Sequence, residues 1–470
     1  MLGPSLFGDY KFLLFSFTQV TNFLGTGNTF LAIGLAKNKN DKNLISFYWA
    51  FIFTIAFLGC IILVPVLNSN LYKIIFPGQN IVYIWIAFLL VLSLFVAQIL
   101  ESMSDACGLT TKGSVVTILS RAIGVFFLLL FFFIFNQKTI LFIFWANFVS
   151  AFFLIGGFIL VLKLKNIPIF HFNISFYELK QKFILFYKYS GPLFFLSMMG
   201  LPINFLNRWI LQSFGGSLQQ GYFSLSDSLS SFVIMFSGSI APLLLRELSI
   251  SFKNEDLNRM RSLFNKSISF VFATSAFFSI FILLNASKAT HLLGGKSFGG
   301  AILPVSIMLL YPIPYTTNNI LYSYIYSANK TGLLRNIMLI CSFIGLIITF
   351  FLVAPKNYFG LGLGATGFAI STVLGTSIVY LVLLKYCAFA MQLRWLKIIG
   401  NHIVVIILFL AIGISTVKLG ELFINDSMIS FVLSGLLYSL GAMLLLLKFP
   451  KLIGISFREV YELIRPMLKK

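Results

Sequence analysis

Acidic residues, cysteines and histidines are all scarce in this chain. Only 13 of its 470 residues are Asp or Glu, whereas 34 are Lys or Arg. The four cysteines lie in or beside apolar stretches without a CxxC spacing, and the three histidines are scattered. The sequence therefore indicates neither a disulfide framework nor a metal site. We expect no cofactor.

Charged residues are also rare, and apolar residues predominate. Charged residues make up 10% of the chain and hydrophobic ones 59%, including 56 phenylalanines. A soluble domain cannot bury so large an apolar share. The net charge of +21 does not indicate nucleic-acid binding, because the bases lie in short loops between apolar stretches. The composition predicts an all-α polytopic membrane protein.

Thirteen stretches are apolar over the length of about 20 residues that a membrane helix needs. They cover residues 12–36, 45–67, 80–101, 113–135, 139–162, 190–213, 219–245, 267–286, 300–327, 336–354, 361–384, 399–417 and 427–447. Lys and Arg concentrate in every second loop between them and in the C-terminal tail. Because cytoplasmic loops carry the excess of bases, we expect Met1 outside and Lys470 in the cytoplasm.

The chain contains a weak internal repeat. Leu2–Tyr10 aligns without gaps with Phe214–Tyr222, so that Gly3 matches Gly215 and Tyr10 matches Tyr222. A second match places residues 99–111 over 320–332. Both copies of the first turn are expected outside, which predicts two parallel, pseudo-symmetric helical lobes around a central cavity.

The repeat also predicts how the chain divides. The expected parts are an N-terminal lobe at 1–165, a cytoplasmic linker at 166–189, a C-terminal lobe at 190–388, two additional spans at 389–448 and a cytoplasmic amphipathic tail at 449–470. In the second copy an apolar helix precedes the turn, whereas in the first copy only Met1 does. We therefore expect a fourteenth helix upstream of the sequence given.

Several motifs resemble those of polysaccharide flippases. "NRWILQSFGGSLQQGYFSLSDSLSSF" at 207–232 resembles the start of their second lobe, and "MLGPSLFGDY" is similar to the "LGPxxFGxY" turn after their first helix. "APLLLREL" and "YFGLGLGATGFAISTVLGTSIVYLV" are also typical. The superfamily contains multidrug exporters, oligosaccharidyl-lipid flippases and polysaccharide exporters. The motif positions here are Gly3, Tyr10, Asn207, Gly215, Gly216 and Tyr222, with Asn207 where the family has Asp.

The resemblance implies a transporter of the bacterial cytoplasmic (inner) membrane rather than an enzyme. Its cargo would be a polyprenyl-pyrophosphate-linked oligosaccharide, such as an O-antigen or capsule repeat unit of polysaccharide or lipopolysaccharide biosynthesis, carried to the outer leaflet by alternating access. Membrane lipids and the polymerase and chain-length machinery are the implied partners. A multidrug or cation antiporter of the same superfamily is the alternative. A membrane-bound polymerase or ligase is disfavoured, because the longest outer loops, at 68–79 and 287–299, are short.

Three arginines and one aspartate are the candidate site residues. Arg121 and Arg208 lie inside apolar stretches, where each costs about 2.5–3.5 kcal/mol at a helix centre. Together with Arg335 they are expected to hold the phosphates in a cationic cavity. The alternative is an ion pair or snorkelling to the interface. Asp227 is either an ion-pair partner of Arg208 or a coupling site.

Overall fold

The structure is a computed structural model. It describes residues 3–25, 28–38, 40–135, 139–169, 175–237, 244, 247–248, 250–252, 254–328, 330–423 and 427–454. The predicted amphipathic tail lies outside these residues from position 455 onward, as does part of the predicted linker.

Across these ranges the regular structure is α-helical, with three short 3₁₀ segments and no strand. In our numbering the helices are α1 Pro4–Gly25, α2 Asn28–Lys37, α3 Lys42–Asn68, α4 Leu71–Ile75, α5 Ile81–Ala106, α6 Thr110–Phe135, α7 Ile140–Lys163, α8 Phe176–Ser237, α9 Leu257–Leu284, α10 Ala286–Gly294, α11 Ile302–Met308, α12 Pro312–Ser327, α13 Thr331–Val353, α14 Gly364–Ala390, α15 Trp395–Phe423 and α16 Ser427–Lys448.

Ten helical segments among the described residues are long and apolar enough to cross a membrane. Their outward faces are apolar as well, and on α6 the side chains of Phe133 and Ile134 are 76% and 64% exposed. Only the hydrocarbon core of a membrane makes such exposure of apolar side chains favourable. There a helix also satisfies the hydrogen-bonding groups of its own backbone. The predicted class, an all-α polytopic membrane protein, is thereby confirmed.

The first of two compact units covers Met1–Gly221. It contains two aromatic-rich cores. One surrounds Tyr48, Phe95 and Phe158, and the other surrounds Phe12 and Phe144. The predicted lobe boundaries around the linker at 166–189 stay a prediction, and α8 already begins within that range, at Phe176.

The second unit covers Tyr222–Lys470 and is organised around α9. The two C-terminal helices α15 and α16 pack on it. Tyr438 of α16 stacks on Phe277 and Phe281 of α9, with ring centroids 4.9 and 5.4 Å apart, and its hydroxyl donates to the Phe277 carbonyl at 3.1 Å. The additional spans are therefore part of this unit's core.

Three predicted stretches differ in detail from what the structure contains. The stretch at 300–327 is interrupted, since α11 ends at Met308 and α12 begins at Pro312. Proline lacks the N–H that a continuous helix would use and suits a helix start. The stretches at 190–213 and 219–245 meet in α8, which is broken at Gly216.

Candidate functional site

α8 is interrupted at a glycine whose backbone conformation other residues rarely adopt. Gly216 has φ +69° and ψ −176°, a conformation that glycine adopts without a steric cost. In the repeat alignment Gly216 falls on Pro4, where α1 begins directly after Gly3. Both copies of the repeat thus mark the beginning of a helical segment, one by a glycine turn and the other by a proline at the first helical position.

The two repeat turns are in direct contact within the first unit. A Cβ atom on Gly8 would overlap the Ser217 carbonyl oxygen, and one on Gly221 would overlap the Pro4 carbonyl oxygen. The backbones of the two turns therefore approach each other so closely that there is no room for a Cβ atom at either glycine. Small residues allow this kind of approach between helices in membranes.

Asp9 lies at the centre of this contact. Its carboxylate accepts hydrogen bonds from the Ser217 hydroxyl and from Gln79 Nε2. Burial raises the pKa of the Asp9 carboxyl above its ordinary value, and these two hydrogen bonds oppose the rise. Asp9 precedes the apolar stretch of α1, so the contact joins the start of that helix to the break in α8.

A third segment, Ile74–Asn80, completes the arrangement. Gln212 Nε2 donates to the Pro77 carbonyl at 3.1 Å and to the Ser217 hydroxyl at 3.2 Å. Trp209 Nε1 donates to the Ile74 carbonyl at 2.6 Å. We call Pro4–Tyr10, Ile74–Asn80 and Asn207–Gly221 together the turn cluster.

Arg208 is a buried cation in the turn cluster. Its side chain is 7% exposed, and its guanidinium carbon lies 4.7 Å from the centroid of the Phe15 ring on α1. A guanidinium over an aromatic face is stabilised by the ring quadrupole. The Oδ1 atom of the neighbouring Asn207 is buried and has no hydrogen-bond partner within the described part of the chain.

The other two predicted arginines are exposed. Arg121 lies in the first half of α6 and acts electrostatically on Glu101 of α5. Arg335, near the start of α13 in the second unit, donates from Nε to the side-chain oxygen of Asn336 at 3.1 Å. That the three arginines share one cavity stays a prediction.

Asp227 is part of the second unit. It is half-buried on α8 and interacts electrostatically with Tyr311. Tyr311 directly precedes α12, and tyrosines at 315, 322 and 326 follow it at a spacing that places them on one face of that helix. We call these four residues the tyrosine row. The Tyr311 and Tyr315 ring centroids lie 5.1 Å apart, and Tyr315 and Tyr326 are 36% and 50% exposed.

The two matched motif tyrosines pack against their own units. Tyr10 is 7% exposed and meets Phe144 edge to face at 5.2 Å. Tyr222 meets Phe298 at 6.3 Å and touches Gly300. Ser230 of α8 donates to the Met308 carbonyl at 2.7 Å, which is a packing contact.

Comparison with solved structures identifies the fold. The chain is similar to the lipid II flippase MurJ in an inward closed conformation, with 13% identity, a TM-score of 0.67, and coverage of 95% of this chain and 93% of that chain. It is similar to an inward-facing multidrug resistance MATE family transporter of the MOP superfamily, with 13% identity, a TM-score of 0.66, and coverage of 83% and 92%. A MOP superfamily transporter from Pyrococcus furiosus matches with 12% identity, a TM-score of 0.52, and coverage of 83% and 88%.

Neither protein-family models nor curated proteins match the sequence. At 12–13% identity the structural likenesses show the fold alone. The chain is a multi-pass membrane protein with the fold of MOP superfamily transporters.

Asp9 and the tyrosine row are not among the residues that the sequence predicts for the site. Asp9 is one of 13 acids and stands inside the first repeat turn, so its position was available as a signal. The tyrosine spacing was also readable as one helix face. Neither pattern shows which other residues these side chains contact.

Proposed function

We propose that the protein translocates a polyprenyl-pyrophosphate-linked oligosaccharide, such as an O-antigen or capsule repeat unit, from the inner to the outer leaflet of the bacterial inner membrane. The observation that carries the proposal is the buried Arg208, held over Phe15. A guanidinium at this position attracts an anion and offers forked donors to phosphate oxygens. Arg121 and Arg335 are proposed to contribute further positive charge.

Two further observations support a glycan carried on a lipid. The exposed rings of Tyr315 and Tyr326 on the tyrosine row combine an apolar face with a hydroxyl, a surface suited to sugar rings. The likeness to the lipid II flippase covers 95% of the chain, whereas that to the MATE transporter covers 83%. The oligosaccharide would move by alternating access, driven by an ion gradient or by the membrane potential.

A cation antiporter is the second candidate, and Asp227 favours it. A carboxylate that interacts electrostatically with Tyr311 provides a negative charge, and the tyrosine provides an aromatic face, which together suit an organic cation. The MATE likeness agrees with this alternative. The two candidates differ in the sign of the charge that is bound.

The test is deletion of the gene in its own host, followed by measurement of lipid-linked glycan in each leaflet. We expect surface polysaccharide to disappear and pyrophosphate-linked repeat units to accumulate in the inner leaflet. Complementation with Arg208→Lys should restore part of the flux, and Arg208→Gln should restore little. The matched control is Lys165→Gln, which removes an exposed loop charge and should complement fully.

Three outcomes would count against the proposal. If single repeat units reach the outer leaflet and are not joined, the protein acts in polymerisation. If the glycan is unchanged and cationic drugs become more toxic, the antiporter is correct. If Arg208→Gln complements as well as Lys165→Gln, the buried cation does not act on the substrate.

A further inference from the structure

A polar cavity lies in the second unit. It has a volume of about 340 Å³ and lies between the first turns of α9 and the loop that joins α14 to α15. This volume is within the range of small-ligand sites. Its polar lining consists of Arg261, Ser262, Asn265, Arg394, Lys397 and Asn401.

Arg261 is held in place by the end of α14. Its Nε donates to the Met391 carbonyl at 2.7 Å, and a terminal N–H group donates to the side-chain oxygen of Gln392. A guanidinium has five N–H donors, so these two bonds leave others for a ligand. Because the backbone fixes the group, little side-chain entropy is lost when an anion binds.

The other two cations have no counter-charge within the described part of the chain. Arg394 and Lys397 form no ion pair among the described residues, and no acid lines the cavity. Three positive charges in one small cavity repel one another. An anion with several acceptor oxygens relieves that repulsion, and Ser262, Asn265 and Asn401 supply neutral donors beside it.

The surroundings of the cavity are those of a membrane interface. It lies where α14 ends and α15 begins, on the side predicted to be cytoplasmic. Two large apolar side chains flank the same loop, Phe389 at 85% exposure and Leu396 at 65%. Basic pockets between membrane helices on the cytoplasmic side are suited to phosphate head groups, and exposed apolar side chains beside them are suited to acyl chains.

We propose that this cavity is a phosphate-binding site. Arg261, Arg394 and Lys397 bind the phosphate, and its source is either the head group of an anionic phospholipid or a soluble phosphate. None of these three residues belongs to the proposed transport site, and the inference does not depend on the transport function.

The experiment measures binding to the purified full-length protein by native mass spectrometry. The probes are phosphatidylglycerol, phosphatidylcholine with the same acyl chains, and inorganic pyrophosphate. The test variant is Arg394→Gln/Lys397→Gln, both exposed positions. The control is Lys163→Gln/Lys165→Gln, which removes the same charge from exposed positions at the end of α7 in the first unit.

We expect the wild-type protein and the control to bind phosphatidylglycerol about tenfold more tightly than phosphatidylcholine, and the test variant to lose most of that preference. Weaker binding of pyrophosphate alone in the test variant would support the site and assign it to a soluble phosphate. Equal losses in the test and control variants, or no loss in either, would overturn the proposal. If the double variant is poorly folded, Arg394→Gln and Lys397→Gln are measured singly, and each should lose part of the preference.

Discussion

Asp9 shows how one carboxylate can join three distant segments. It receives hydrogen bonds from Gln79 and Ser217, which are far from it in sequence. Partial burial penalises its charged form, whereas the two donors stabilise that form. Because burial has the larger effect, ionisation of Asp9 opposes folding.

This balance predicts a pH dependence of stability for Asp9→Asn. A carboxyl whose pKa is raised by folding contributes stability that is present below its unfolded pKa and lost as the pH rises through its folded pKa. The wild-type protein should therefore gain thermal stability relative to Asp9→Asn as the pH falls from neutral toward about 4. Thermal unfolding of both proteins in detergent across that range measures the difference.

Glu178 provides a control of opposite sign. Hydrogen bonds from the Ser175 backbone N–H and hydroxyl lower its pKa. The wild type should therefore be more stable than Glu178→Gln at neutral pH, and this difference in stability should shrink as the pH falls. The effect should be small because the side chain is only half-buried. A pH-independent difference between the wild type and Asp9→Asn would show that burial does not control the Asp9 carboxyl.

At the scale of elements, the close contact between α1 and α8 depends on two glycines. The backbone of one turn occupies the space where the other would carry a Cβ atom, at both Gly8 and Gly221. A methyl group there requires the two helical segments to move apart. Packed interiors resist such movement.

We predict that Gly221→Ala destabilises the protein by about 1–3 kcal/mol, the usual cost of overpacking. The matched control is Gly156→Ala on α7, where the added methyl group meets nothing within 4 Å. That substitution should be neutral or stabilising by up to about 1 kcal/mol, because Ala favours a helix over Gly. Thermal unfolding of both variants is the measurement, and equal midpoints would contradict the contact.

The break in α8 also contributes to the candidate site, because it helps to position Arg208. Gly216 allows the helical segment with Asn207 and Arg208 to end and another to begin, while Gln212 and Trp209 attach the first segment to residues 74–77. Arg208 consequently sits on a segment fixed at several points. A cation that binds phosphate benefits from such preorganisation.

For the whole molecule, the distribution of bases predicts one orientation in the membrane. Lys165 belongs to a loop predicted inside, and Lys356 to one predicted outside, and both side chains are exposed. In a variant with all four native cysteines replaced, Lys356→Cys should react with a membrane-impermeant maleimide in intact cells. Lys165→Cys should react only after permeabilisation. The reverse pattern would invert the orientation.

The MOP likeness is also a property of the whole chain rather than of its motifs. At 13% identity, the flippase and the MATE transporter match it over 95% and 83% of its length. The order and lengths of apolar helices persist when individual residues do not, because hydrocarbon thickness sets the length of each helix.

The sequence by itself determined that this is a multi-pass helical membrane protein, together with the approximate helix positions and the glycine turn at 215–216. Those properties depend on local hydropathy and backbone preference, which each short stretch carries alone. Only the tertiary structure decided that Asp9 meets Gln79 and Ser217, that Arg208 lies over Phe15, and that Arg261 shares a cavity with Arg394 and Lys397. These contacts join residues far apart in the chain, and the way the helices pack determines which faces meet.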